Sequence, residues 1–273
     1  MNMKLGVVHD FDINNIRCTG ATIALSENGE IYIYNNSRIR VFQSHGTCLR
    51  SWPIHFVINM LIRDSKLYAI IPYDEGYEMQ IFTLDGSLLR RWDLFFLTNT
   101  LWYYIHLTSS KEEIYISYYR NQKFIICVLD LNGLVQREIL ISGIIRSIAF
   151  GNGELYVRKI NDTSLANEVK NEVIVVHPEG YVLRSWIISN IDDTIGEALT
   201  VSHGFIFAPS DDTMQIFSPS GDLLWKDDLP CSIQRILIQG EYILAAHSGR
   251  SVRGGVISLP SLQLWQIKNI SSN

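Results

Sequence analysis

The residues able to do chemistry are scattered along this chain. Its seven histidines (His9, His45, His55, His106, His177, His203 and His247) include no pair at the i, i+2 or i, i+4 spacing that would aim two imidazoles at one metal. The four cysteines, Cys18, Cys48, Cys127 and Cys231, are equally dispersed. They read as small buried or half-buried residues of a reducing compartment. Asp192-Asp193, Asp211-Asp212 and Asp227-Asp228 offer paired carboxylates for a cation or a general base. None has the alternating oxygen ligands of a calcium loop, so solvated turn acids are the simpler reading. No Gly-x-Ser-x-Gly elbow and no phosphate-cradling glycine loop occurs. These patterns imply no metal and no cofactor.

Composition narrows the class. The chain has 273 residues, 47% hydrophobic and 19% charged, a globular balance large enough for one big β domain. Its net charge of -5 disfavours RNA, since nucleic-acid binders draw affinity from a basic surplus. No apolar run approaches the roughly 18–20 residues of a spanning helix. The start, Met1 to Asp10, is too short in apolar length for a signal peptide. A cytoplasmic protein without membrane contact is expected.

The elements that must position any site come from a repeat. Ile39 to Trp52, with Gly46 at its centre, returns as Met79 to Trp92 around Gly86. Further copies surround Gly133, Gly180, Gly221 and, degenerate, Ser261, at spacings of 40, 47, 47, 41 and 40 residues. Four short strands at a period near 40–50 is the size of a propeller blade. The expected fold is all-β: a six-bladed β-propeller of four-stranded antiparallel blades, one domain over residues 1–273. Five residues before the turn come Val41, Ile81, Val128, Val175, Ile216 and Val256, and next to them Phe42, Phe82, Leu129, Val176, Phe217 and Ile257. Adjacent strand residues point to opposite faces, so both faces of the third strand are covered. A further apolar column follows three after the turn: Leu49, Leu89, Leu183, Leu224 and Leu264, with Gln136 as exception. Residues 4–13 read as an outer strand that helps close the ring, in competition with 262–267.

One column invites a functional reading. Arg50, Arg90, Arg137 and Arg184 follow the turn by four residues, and Trp52, Trp92 and Trp186 by six. They could form a cationic-aromatic ring for a polyanion. As outer-strand residues they point around the circumference, and packing over the adjacent blade is the favoured reading.

The chain resembles the NHL-repeat family of six-bladed propellers, best in its first unit, through Asn35 to Phe42, His45-Gly46 and Leu49-Arg50. That resemblance implies a non-enzymatic scaffold binding a protein or peptide, with RNA as a lesser option. Loops between second and third strands would carry the contacts: Arg38, Tyr73, Tyr77, Tyr118, Tyr119, Arg120, Arg158, His247 and Arg250, types that dominate binding hot spots. The alternative is a metal-dependent lactonase, hydrolase or lyase with its site in the central channel. Innermost strands 22–24, 59–61, 105–107, 146–148, 199–201 and 235–237 would offer chiefly Asn59, His106 and Arg146 to it.

Overall fold

The computed structural model describes residues 4–11, 22–74, 76–163, 168–189, 199–210, 213–228, 233–239, 242–247 and 262–268. β1 (Lys4–Phe11) opens the chain. The first sheet then holds β2 (Thr22–Leu25), β3 (Ile31–Asn35), β4 (Arg38–Phe42) and β5 (Cys48–Pro53). The second holds β6 (Asn59–Arg63), β7 (Lys66–Tyr73), β8 (Gly76–Thr83) and β9 (Leu88–Asp93). The third holds β10 (His106–Ser109), β11 (Glu113–Arg120), β12 (Lys123–Asp130) and β13 (Val135–Ile141). The fourth holds β14 (Ile144–Gly151), β15 (Glu154–Thr163), β16 (Glu168–Val176) and β17 (Val182–Ser189). The fifth holds β18 (Thr200–Ser202), β19 (Phe205–Ser210), β20 (Thr213–Phe217) and β21 (Leu223–Asp228). In all five, every strand pairs antiparallel with its neighbour in sequence.

The last sheet is built from both ends of the chain. β22 (Ile233–Gln239), β23 (Tyr242–His247) and β24 (Leu262–Lys268) pair in order, and β1 adds outside β24. Leu262–Lys268 is therefore a third strand, and the competition for the outer edge goes to the N-terminal segment. Val256 and Ile257, the last members of the third-strand columns, lie outside the described residues. Innermost strands touch in the cyclic order β2, β6, β10, β14, β18, β22 and back to β2. The architecture is an all-β propeller of four-stranded antiparallel blades.

Local chemistry explains the hairpins. Asn36-Ser37, Asp64-Ser65, Asn121-Gln122, Asn152-Gly153 and His203-Gly204 all have positive φ. Two such residues make the turn whose twist matches the flanking strands, and Asn, Asp and Gly tolerate it best. The outer hairpins share one longer turn. Gly46, Gly86, Gly133, Gly180 and Gly221 each donate their amide to the carbonyl three residues earlier, at φ between +86° and +105°. In every case the ladder then skips one residue of the fourth strand: Leu49, Leu89, Gln136, Leu183 or Leu224. That skipped residue is the sequence column read as apolar. It is a β-bulge position turned outward, and Leu89 is 52% exposed. The column is a rim feature.

Third-strand columns behave as expected wherever side chains are described. Val41, Ile81, Val128, Val175 and Ile216 are buried, as are Phe82, Leu129, Val176 and Phe217; Phe42, beside the closing sheet, is half-buried. The core lies between sheets. One cluster joins Tyr68, Ile70, Met79 and Trp92 to Ile114, Ile116, Ile125 and Cys127 across the second and third sheets, and equivalent clusters fill the other described gaps. No sheet hides both faces alone, so burial of the repeat drives ring formation. The β15–β16 hairpin is a long one, its ladder reaching Asn161↔Lys170 and Thr163↔Glu168.

Candidate functional site

A channel of about 440 Å³ runs along the axis, lined by the innermost strand of every sheet. This volume suits a small molecule. Most lining residues are apolar by type, and polar ones are spread over β6, β10, β14 and β18. Neighbouring inner strands are tied together where β2, β6 and β10 begin. There the Thr22 hydroxyl donates to the Ile58 carbonyl (3.0 Å), and Asn59 Nδ2 donates to the Ile105 carbonyl (3.3 Å). Each bond ties one sheet to the carbonyl just ahead of the next inner strand. Thr22 and Asn59 thus belong first to a girdle that holds the ring.

His106 opens β10 and Arg146 lies in β14. The β14–β15 ladder passes from Ile145↔Lys159 to Ser147↔Arg158, so Arg146 is the residue left over in a bulge. Bulges re-aim side chains, and this one belongs to the channel lining. Among the described lining residues, Arg146 is the one permanent cation and His106 the one imidazole. The crossover from β9 to β10 folds as two short 3₁₀ turns, Phe95–Leu97 and Trp102–Tyr104. It sets Trp102 and Tyr103 at the channel while leaving them 54% and 48% exposed. Ring contacts continue from Phe56 to Trp102 (6.5 Å), Tyr103 (5.8 Å) and Tyr104 (4.3 Å). Burial pushes the Tyr104 phenol up, and the neighbouring Arg146 charge opposes that shift.

A divalent cation needs several converging carboxylate or imidazole donors. Among the described residues no trio of His, Cys, Asp or Glu converges anywhere. The described channel residues do not fit a metal. Asp227 and Asp228 are exposed, while 192–193 and 211–212 lie outside the described residues.

The arginine–tryptophan column serves the ring. Arg50 clasps Glu30 with Nη1 and Nη2 (3.1 and 2.7 Å), and its Nε donates to the Leu84 carbonyl in the next sheet's turn (3.1 Å). Arg137 repeats this with Glu113 (2.6 and 2.9 Å) and Pro178 (2.7 Å), and Arg184 with Glu154 and Pro219 (2.7 Å). Tyr32, Tyr115 and Tyr156 complete each set by donating to the same glutamate. Their guanidinium groups are engaged with protein, which removes the polyanion reading for these three. Where the acid is missing, the clasp is lost: in the second sheet Lys66 stands at the glutamate position while Tyr68 and Arg90 remain, and Arg90 lies over Trp92; in the fifth sheet Phe205, Phe207 and Trp225 replace all three polar members.

The loop residues expected to bind a partner do not form one surface. Tyr118 is fully buried with its hydroxyl on Glu138 (2.7 Å), and Arg158 is fully buried, donating to Asn171 Oδ1 (3.1 Å) and the Pro209 carbonyl. Both expectations are corrected: strands β11 and β15 run past these positions, which places them between sheets. Tyr77 donates to the Thr100 carbonyl (2.7 Å), Tyr119 packs on Tyr104 and Phe124, and Arg120 pairs with Glu138 (3.1 Å). Arg38 bonds Ser51 (3.0 Å), and Tyr73 is 41% exposed. Arg250 and the His247 side chain lie outside the described residues. Cys127 is buried, with its thiol pushed up to about 12 by burial, whereas Cys48 is exposed. The Trp102–Tyr103 platform was missed because its strand-breaking crossover belongs to no repeat unit.

No family model matches the chain, so the NHL-repeat resemblance is not shown. No curated protein matches it either. Solved structures share the fold. A gluconolactonase from Xanthomonas campestris has a TM-score of 0.65 at 13% identity, over 97% of this chain and 90% of that one. The PQQ-bound aldose sugar dehydrogenase from Streptomyces coelicolor has a TM-score of 0.63 at 8% identity, over 98% and 99%. The Pan2 WD40 domain from Neurospora crassa has 0.58 at 11%, over 97% and 94%. At these identities the likeness establishes a β-propeller. The expectation of a non-enzymatic loop scaffold is corrected: two of its residues are buried, and the structures just compared include two enzyme-type propellers. No helix among the described residues is long and apolar enough to cross a membrane.

Proposed function

We propose that this chain is an enzyme-type propeller, six-bladed with the terminal sheet as the closing blade, that acts on a small molecule in its central channel. The observation that carries the reading is the channel itself, where His106 and Arg146 share the lining with the exposed Trp102 and Tyr103. The lactonase or hydrolase class suits those groups. His106 would take a proton from water as it adds to an acyl carbon, and return it to the leaving ring oxygen. Arg146 would stabilise the oxyanion formed in between. No metal is required by this scheme. Sugar lactones are the substrates to try first, since the fold's solved relatives include a gluconolactonase and a sugar dehydrogenase.

The test is hydrolysis of glucono-δ-lactone and a panel of γ- and δ-lactones by purified protein, followed by acid release. Turnover above background that falls about 100-fold in His106→Ala supports the reading. A wild-type protein inert on the whole panel, or a His106→Ala variant equally active, ends it.

A further inference from the structure

We infer that the outer edge of the third and fourth sheets is an interface between two copies of this chain, centred on Leu140 of β13 and Ile187 of β17. The surface lies at the rim, apart from the channel, and does not depend on the proposed activity. Outer strands are free sheet edges, and proteins keep such edges apart with charges, proline or short length. Residues five and seven after each turn glycine are exposed in all five described outer strands. The first sheet has Ser51 and Pro53 there, the second Arg91 and Asp93, and the fifth Lys226 and Asp228. The third has Glu138 and Leu140, with Glu138 engaged by the Tyr118 hydroxyl and Arg120. The fourth has Ser185 and Ile187, which carry no charge. These last two edges are also longer than the other three, at seven and eight residues against six.

The two edges meet in one apolar groove. Arg137 Nε donates to the Pro178 carbonyl (2.7 Å), and a Cβ at Gly180 would sit 3.4 Å from Ile139, so the fourth sheet's turn rests on β13. Ile139 and Ile141 pair with Ile126 and Phe124 and form a buried floor. Val182 and Ile187 pair with Val176 and Glu172 and form an exposed wall. Ile126, Phe124 and Val176 belong to the one cluster between these sheets, and Glu172 lies two residues from Ile174 of that cluster, so floor and wall face the same gap. Leu140 projects from the opposite face of β13 and is 64% exposed. A two-fold axis sets Leu140 of each copy against the groove of the other, the reciprocal fit of an isologous interface. Leu134, Val135, Leu140, Tyr181, Val182 and Ile187 are between 49% and 64% exposed. Together they present on the order of 600 Å² of apolar surface, most of the roughly 800 Å² that each partner gives a standard interface. A charged partner finds nothing to pair with at Ser185 and Ile187, whereas a second copy meets them with no charge opposed.

The experiment is light scattering coupled to size exclusion on the full chain, loaded at about 1 to 100 µM. The mass should rise to twice the 31.2 kDa of one chain. Leu140→Asp and Ile187→Asp install the residue that Asp93 and Asp228 already hold at this position in the second and fifth sheets, so each should fold with wild-type circular dichroism. Each buries an unpaired charge in the interface and should weaken dimerisation about 100-fold or more. Leu89→Asp, at an exposed leucine of the second sheet, should leave the dimer intact. A wild-type chain that stays single at the highest concentration overturns the inference, and so does a dimer that a folded Leu140→Asp or Ile187→Asp variant leaves unchanged. A single chain that binds phosphatidylcholine vesicles overturns it in favour of a lipid surface. If neither variant folds, amide exchange of the wild-type chain decides. Protection gained with concentration in β13 and β17 supports the interface, and protection gained elsewhere or nowhere overturns it.

Discussion

Trp92, on the fourth strand of the second sheet, lies flat against Gly133 in the third sheet's outer turn. A Cβ at Gly133 would sit 2.5 Å from Trp92 Cδ2. The same fit joins Trp52 to Gly86 (2.5 Å) and Trp186 to Gly221 (2.7 Å). These glycines answer two demands at once, a left-handed φ and a neighbour's indole. Where the third sheet has Ile139 in place of tryptophan, the approach to Gly180 relaxes to 3.4 Å.

Substitution at these turns should follow that spacing. Gly153→Ala, at φ +78° with nothing within 4 Å, should cost only the left-handed conformation, about 1–2 kcal/mol. Gly133→Ala adds overpacking and should cost roughly 2–4 kcal/mol in all. Gly180→Ala should fall between them. Urea unfolding of the three variants gives the order; equal losses would mean that the indole plays no part.

The glutamate–arginine clasps should make stability pH-dependent at both ends. The Arg137 guanidinium holds the Glu113 carboxyl below its ordinary 4.5, with Tyr115 assisting against the opposing effect of burial. Glu30 and Glu154 are lowered in the same way by Arg50 and Arg184. A depressed folded-state value gives stability present above about 4.5 and lost as pH falls below it. Burial, with Glu113, raises the Tyr115 phenol above its ordinary 10.0, so that contribution is intact below pH 10 and lost above it. Glu113→Gln should flatten the acid limb and cost about 1–2 kcal/mol at neutral pH. An unchanged acid limb in thermal melts would refute the clasp's role.

Arg158 should behave as a structural cation. Arg158→Ala removes donors to Asn171 and the Pro209 carbonyl inside the fourth–fifth sheet gap, and should cost about 2–4 kcal/mol. Ligand titration of the folded variant should match wild type. A stable variant with altered binding would return this residue to a functional role.

Removing residues 1–11 should strip β1 from β24 and leave that strand's edge open. The truncated protein should lose cooperativity in thermal unfolding and scatter light at concentrations where the full chain stays clear. A truncated protein with an unchanged Tm would show that β1 is dispensable for closure.

The repeat, the turn glycines and the doubly covered third strands were legible from the amino-acid order, because hairpins and strand faces depend on residues close together in the chain. The inner strands were legible too: 59–61 opens β6, and 146–148 sits within β14. Contacts between sheets were not. The outward leucines at 49, 89, 183 and 224 have the same apolar character as a core column, and only the skipped ladder pair reveals the bulge. Tyr118 and Arg158 look like loop residues by type, yet burial is set by the sheet that closes over them. Asn59, His106 and Arg146 stood on three separate units until the ring closed and brought them to one channel. Short-range order fixes the blades. Which side chains share a site depends on how the blades meet, and that is a property of the closed ring.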